Sequence, residues 1–348
     1  MSWISSLARS DIVALKAYEH AAWEPQLTRL HANELPWRIP GDTTLAGLNR
    51  YPEPQPRALR ERLAAVYGVL PDSVLIGRGS DDAIDVLVRT FCRADHDAVL
   101  ICPPTFGMYA VAARIQGAQV ISVPLRAPDG FALDEARVLA RCTSAVKLVF
   151  LCSPNNPTGN LLARGAILGI ARALAERALV VVDEAYLEFA GAATLAGELG
   201  RHPNLVILRT LSKAYGLAGV RCGTLIAHPE VIALTAKVMP PYAIAQTTCE
   251  TVLKLLEPTR LTAVHERIAL IGIERERMAR ELAGLNCVTR VHPSVANFIL
   301  ADFTDAADAL AQARHAQLLV RSSAELPTAL RITIGSSAHN DALLGAWS

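Results

Sequence analysis

The stretch ALVVVDEAYLEFAGAATLAGELGRHPNLVILRTLSK, residues 178–213, holds two short aliphatic runs, each ending abruptly in polar chemistry. Leu179-Val180-Val181-Val182 stops at Asp183, and Leu205-Val206-Ile207-Leu208 leads into Thr210-Leu211-Ser212-Lys213. Runs without polar alternation suit strands of a sheet covered on both faces. A carboxylate that closes such a strand is costly to bury unless it meets a cation or hydrogen-bond donors, so Asp183 calls for a partner.

Working outward, the same rhythm recurs. Apolar runs at 73–76, 98–101, 119–123 and 147–151 precede the quoted stretch, and 223–226 follows it. Between them, 81–91, 108–116 and 163–177 carry apolar residues at three- and four-residue spacing, the pattern of crossover helices. The alternation predicts an α/β fold with a mostly parallel, seven-stranded sheet flanked by helices. At Met239-Pro240-Pro241 the rhythm stops. A long helical stretch is expected over 246–285, then strand-like segments at 295–300, 318–321 and 330–334, which together read as a smaller α+β domain. The expected division is an N-terminal arm, 1–40, counted with the small domain; a large domain, 41–240; and a small C-terminal domain, 241–348.

Composition narrows the function. Lys and Arg number 34 against 33 Asp and Glu, so no broad positive field is available for nucleic acid or an anionic membrane. Seven scattered cysteines without a Cys-x-x-Cys pair indicate neither a disulfide framework nor a metal site. The opening MSWISSLARSD turns charged before a leader-length apolar run develops, and no run approaches the roughly 18 apolar residues of a membrane span. A cytoplasmic protein acting on small molecules is expected.

In open α/β sheets, ligands gather at the carboxyl ends of the strands. After the first run stands Gly77-Arg78-Gly79-Ser80-Asp81-Asp82, where a helix start could seat a phosphate on Gly79, Ser80 and Asp81, or where Ser80 or Asp81 could simply cap the helix. Phe106, after Pro103-Pro104-Thr105, could stack on a flat ring or belong to the core. In Ser153-Pro154-Asn155-Asn156-Pro157-Thr158-Gly159, Asn156 can offer a rigid amide to a phenolate oxygen. Asp183 could meet a pyridinium N–H or a structural arginine. Lys213, at a partly desolvated strand end, would have a lowered pKa and attack an aldehyde, while Ser212, Arg221 and Thr210 could donate to a phosphate. Pyridoxal 5'-phosphate (PLP) asks for this set: a phosphate anchor, a ring stack, a donor to O3', a carboxylate on N1 and a lysine on the aldehyde.

On these motifs the chain resembles the fold-type I PLP enzymes, and within them the class II aminotransferases of the histidinol-phosphate aminotransferase group. Further carriers of the resemblance are Asn49-Arg50-Tyr51-Pro52-Glu53-Pro54, 102–109 and Leu330-Arg331-Ile332-Thr333-Ile334-Gly335. It implies Lys213 as the Schiff-base lysine, Asp183 on the pyridine nitrogen, Asn156 and Tyr186 on O3', and Gly79, Ser80, Ser212 and Arg221 on the phosphate. It also implies Tyr51 reaching the phosphate of a second subunit, hence a homodimer with shared sites. Arg331 and Arg321 would receive substrate anions, with Tyr18 and Asn33 lining the substrate pocket. The implied reaction is transamination between L-histidinol phosphate and 2-oxoglutarate. Threonine-phosphate decarboxylation, aromatic transamination and a non-catalytic PLP-binding regulator stand as alternatives. Departures fall on the substrate side: Phe106 stands where tyrosine is common, and Gly335 is followed by Ser336-Ser337 instead of a threonine with a nearby acid.

Overall fold

The computed structural model describes residues 2–24 and 26–348. Seven strands form the main sheet: β1 (Val74–Gly77), β2 (Ala98–Ile101), β3 (Gln119–Ser122), β4 (Val146–Cys152), β5 (Leu179–Asp183), β6 (Leu205–Thr210) and β7 (Gly223–Ala227). Their order is β1-β7-β6-β5-β4-β2-β3. Strands β2 to β6 pair in parallel, whereas β7 runs antiparallel to both β1 and β6. Every residue of β1, β2, β5, β6 and β7 is buried, which is why their sequences read as unbroken apolar runs. Strand β3, at the sheet edge, is partly exposed throughout and carries polar ends, while β4 is partly exposed only at Lys147.

This topology puts the C-terminal ends of β1, β4, β5 and β6 and the N-terminal end of β7 on one edge. The register is level there: Cys152 pairs with Asp183, Asp183 with Leu208, and Gly223 with both Gly77 and Thr210. Helices Ser80–Phe91, Met108–Gln116 and Arg164–Ala173 cover the faces, and all three begin within three residues of the positions expected from spacing.

The second sheet is antiparallel, in the order β10-β11-β9-β8, from β8 (Val288–Val291), β9 (Phe298–Phe303), β10 (Arg321–Ser323) and β11 (Leu326–Thr333). Its core, with Met278, Leu282, Ile299, Leu330, Ile332 and Trp347, is separate from that of the large sheet.

Four features differ from expectation, each for a physical reason. The helix expected over 246–285 is two helices, Gln246–Leu255 and Pro258–Ala283, because Pro258 lacks the N–H a continuing helix needs and fits the first turn of a new one. Strand β9 starts at Phe298, not 295: the Ser294 hydroxyl takes the Ala296 N–H and donates to the Phe298 carbonyl, which makes a turn there. Strand β10 starts at Arg321, not 318, leaving Leu319 largely exposed. Finally, the first residues belong with the large body rather than the small sheet: Ile4 and Leu7 lie in its core, the Ser5 hydroxyl donates to Glu230 at 2.6 Å, and Lys237 caps the Val13 carbonyl at 2.8 Å.

One close approach ties the sheet to its functional edge. A Cβ on Gly223 would lie 2.3 Å from the Gly79 carbonyl carbon and 2.6 Å from the Ser80 nitrogen. Backbone cannot yield as a side-chain tip can, so Gly223→Ala is expected to lower unfolding free energy by about 1–3 kcal/mol in urea denaturation. An unchanged midpoint would show that the 79–80 turn moves freely.

Candidate active site

At the shared edge lies a cavity of about 150 Å³ lined by residues from five separate loops. On one side, Gly79 at φ +101 turns the chain into helix Ser80–Phe91, a conformation glycine adopts without strain. The first-turn N–H groups of that helix face the same region as Ser80, Ser212 and Arg221. Arg221 is itself left-handed, at φ 58, and is held by the Arg78 and Ala218 carbonyls, each at 3.1 Å, and by Asp81 at 3.5 Å. The Asp81 carboxylate therefore orients the arginine and lends its backbone, not its side chain, to any anion seat. Thr210 Oγ1 accepts from the Ser212 N–H at 3.2 Å and so shapes the approach to Lys213.

Across the cavity, Asp183 is buried and has no cation within ion-pair distance among the described residues. Its partners are the Tyr109 hydroxyl, which donates to Oδ2 at 2.8 Å, and the Ala185 N–H, which donates to Oδ1 at 3.1 Å. Burial raises its pKa to about 6, against the pull of the Tyr109 and Ala185 donors. Tyr109 is fully buried, stacks on Phe150 at 4.8 Å and meets Phe106 edge-on at 5.6 Å. The sequence alone assigns Tyr109, within 102–109, no role of its own; its place one helical turn after Phe106 is the available signal.

Lys213 lies between these ends, reached through the open mouth, with Nζ 5.6 Å from the Tyr186 ring centre. Desolvation and then the charge of Arg331 lower its pKa, which raises the share of free amine.

A second cavity of about 650 Å³ adjoins the first and shares Phe106, Asn156, Tyr186 and Lys213 with it. Arg321 and Arg331 line it from directly opposed positions on β10 and β11. Arg331 donates through Nη1 to the Asn156 carbonyl oxygen, which leaves the Asn156 amide nitrogen free, and Arg331 Nε is buried without a partner. Burial lowers the Arg331 pKa, with Arg321 adding to the effect.

The loop between β5 and its next helix is fastened from behind. Arg209, on β6, bonds Glu184 at 2.9 Å and Glu188 at 2.8 Å, and the Leu195 N–H holds Glu184 at 2.7 Å. All three charges are largely buried, and burial raises the Glu184 pKa despite the arginine beside it.

Eleven of the expected cofactor residues thus converge: Gly79, Ser80, Asp81, Phe106, Asn156, Asp183, Tyr186, Thr210, Ser212, Lys213 and Arg221. Arg321 and Arg331 join the neighbouring cavity. Tyr51, Tyr18 and Asn33 line neither cavity. Tyr51 stacks on Tyr242 at 4.6 Å, Tyr18 packs against His20 at 5.6 Å, and Asn33 sits exposed at φ 57.

Residues 42–346 match the model of the family described as aminotransferase class I and II. The chain belongs to the class I and II aminotransferases. Among curated members of this aminotransferase family, it is 46% identical to histidinol-phosphate aminotransferase of Stenotrophomonas maltophilia, over 99% of this chain and 96% of that one. The solved structure of histidinol-phosphate aminotransferase from Sinorhizobium meliloti in complex with pyridoxal-5'-phosphate aligns with TM-score 0.77 and 28% identity, over 86% of this chain and 82% of that one. L-threonine-O-3-phosphate decarboxylase from Porphyromonas gingivalis shares the fold, with TM-score 0.71 and 24% identity over 86% and 90% of the two chains.

The residues of this aminotransferase fit PLP on their own chemistry. A buried carboxylate without a cation faces the cavity at one end, a helix start with Arg221 and two serines marks the other, and an amine stands between. A ring with a protonatable nitrogen, an aldehyde and a phosphate uses all three.

Removing the cation behind the loop is expected to be costly. Arg209→Met leaves Glu184 buried and uncompensated, and should lower stability by about 3–5 kcal/mol at neutral pH, less in mild acid where Glu184 takes up a proton. Chemical denaturation at the two pH values checks both parts, and a loss that does not depend on pH would contradict the second.

Proposed function

We propose that this chain is a PLP-dependent aminotransferase that moves the amino group of L-histidinol phosphate to 2-oxoglutarate, giving imidazole acetol phosphate and glutamate in histidine biosynthesis. The observation that carries the proposal is the meeting of two cavities at Lys213: one suited to a phosphorylated pyridine, the other bearing two opposed arginines. The 46% identity over nearly the whole chain to a histidinol-phosphate aminotransferase supports the substrate.

When bound, PLP supplies an aldehyde that amines condense with and a pyridinium ring that takes up electron density from the α-carbon. Asp183 holds the proton at the ring nitrogen, and its burial keeps water from competing for that hydrogen bond. The Asn156 amide nitrogen, left free by Arg331, and the Tyr186 hydroxyl donate to O3'. Gly79, Ser80, Asp81, Ser212 and Arg221 hold the phosphate, with Thr210 setting the position of Ser212, and Phe106 covers the ring face. Lys213, with its lowered pKa, would be the base that takes the proton from the substrate α-carbon and holds it for return as the amino group moves. Arg331, with Arg321 assisting, would hold in turn the phosphate monoester of one substrate and a carboxylate of the other, since a guanidinium fork suits either anion.

The same proposal includes a homodimer. The segment 30–45 exposes Leu30, Trp37, Ile39 and Leu45 at 67% or more, apolar surface of the kind interfaces cover. In a dimer, Tyr51 would serve the phosphate of the other subunit, with Tyr18 and Asn33 at the substrate pocket. Domain borders near residues 40 and 240 belong to this reading, with Trp3–Leu7 counted with the large body. So does a cytoplasmic location. Among the described residues no helix is long and apolar enough to cross a membrane.

Purified protein given histidinol phosphate and 2-oxoglutarate is expected to form glutamate and to sediment as a dimer. Lys213→Ala should abolish glutamate formation while keeping the unfolding free energy within about 1 kcal/mol of the parent, since it removes a rim amine with no ion-pair partner among the described residues. Absence of glutamate, with carbon dioxide released from threonine phosphate or phenylalanine consumed instead, would overturn the substrate.

A further inference from the structure

Asp183 presents two oxygens to its surroundings, and the structure gives each a different donor: the Ala185 N–H on Oδ1 and the Tyr109 hydroxyl on Oδ2. The backbone donor comes with the turn and would be present whatever the side chains. The Tyr109 hydroxyl is a choice of residue. Tyr109 is 0% exposed, and burial beside Asp183 pushes its own pKa up, so the phenol stays a donor across the range in which enzymes work. Its ring is clamped against Phe150, 4.8 Å away and within 8° of parallel, so the hydroxyl has little freedom to turn aside. On its other side it meets Phe106 edge-on, so one buried phenol touches both the carboxylate and the aromatic that line the cofactor cavity.

We infer that Tyr109 is a positioning residue for Asp183: its hydroxyl keeps the carboxylate ionised and aimed, so that the proton shared with a ligand's ring nitrogen stays on the ring. This rests on the reading of Asp183 as the partner of that nitrogen. The groups facing Asp183 leave this task to Tyr109. Burial drives the carboxyl toward its neutral form, to a pKa of about 6, and Asp81 on helix Ser80–Phe91 pushes the same way. Lys213 beyond β6 pulls the other way but contributes least. Cys152 at the end of β4 and Tyr186 on the next turn both have pKa values raised by burial and remain neutral. Tyr109 is the largest influence holding the charge in place.

The sign follows from which form binds. A protonated ring nitrogen needs an ionised Asp183, so the Asp183 contribution to PLP affinity should be flat well above pH 6 and weaken as pH falls through 6. Deleting the hydroxyl removes a donor to the charged form and raises the carboxyl pKa further, so Tyr109→Phe should begin to lose affinity at higher pH than wild type. For a rise of about one pH unit, PLP binding in the variant is about fivefold weaker near pH 6, about tenfold weaker near pH 5, and equal to wild type near pH 8.5. Lys213 and the ligand phosphate titrate in both proteins and cancel from the comparison.

The test is equilibrium dialysis of the full-length chain, stripped of cofactor, against PLP over this pH range, for wild type, Tyr109→Phe, Phe150→Leu and Asp183→Ala. Phe150→Leu keeps the hydroxyl and loosens its clamp, so it should lower thermal stability while moving the pH midpoint of binding less than Tyr109→Phe does. A gap between wild type and Tyr109→Phe that opens only toward acid supports the inference. A loss that is the same at every pH, no loss, or an equal midpoint shift in Phe150→Leu overturns it. Should Asp183→Ala lose the acid limb while Tyr109→Phe keeps the wild-type profile, Asp183 retains its role and the inference about Tyr109 alone falls. Should wild type bind no PLP, the reading of Asp183 falls and takes this inference with it.

Discussion

A carboxylate buried at the end of a parallel strand, with no cation within ion-pair distance among the described residues, is the constraint around which the molecule is arranged. Such a group strains toward its neutral form, and Asp183 is held short of it by one phenol and one backbone N–H. The strands on either side are level with it, so their loops converge on the same point. Its chain neighbour Glu184 points the other way into an ion cluster with Arg209 and Glu188, which fixes the loop from behind. Two adjacent acids therefore divide the work: one is neutralised by a structural arginine, and the other is left without a counter-charge, facing a cavity. That asymmetry makes the site selective for a ligand bringing its own proton and positive charge.

The main sheet was legible because its strands are buried on both faces, which removes polar alternation and leaves runs such as Leu205-Val206-Ile207-Leu208. The loop residues were legible because strand ends in such sheets collect ligands, so glycine, asparagine, aspartate and lysine at those addresses carry meaning that they lack elsewhere. The small sheet was harder. Strand β8, Val288-Thr289-Arg290-Val291, lies at an edge and is partly exposed, so its pattern resembles a loop. The break at Pro258 was visible as a residue, but the apolar spacing on both sides hid it. Tyr109 was missed for another reason: a buried tyrosine on an amphipathic helix looks like any core residue until a partner for its hydroxyl is known.

The substrate side shows where one chain stops informing. Arg321 and Arg331 are opposed across a hairpin, a relation that sequence spacing cannot reveal without the register. The segment 18–51 is different again, since Tyr18, Asn33 and Tyr51 line neither cavity of their own chain. It is nonetheless ordered by its own contacts. Glu34 is buried between Arg29 and Arg50 and takes the Tyr51 N–H at 2.6 Å, while Arg29 holds the Tyr51 carbonyl at 3.1 Å. The same segment leaves Leu30 and Leu45 exposed.

On the proposed function, the buried carboxylate and the anion seat serve one ring whose aldehyde meets Lys213. Borohydride reduction of the PLP-loaded protein, followed by proteolysis and mass mapping of the pyridoxyl label, tests it most directly. The label is expected on the peptide containing Lys213 and nowhere else. A label on another lysine, or none after saturating PLP, would contradict the account.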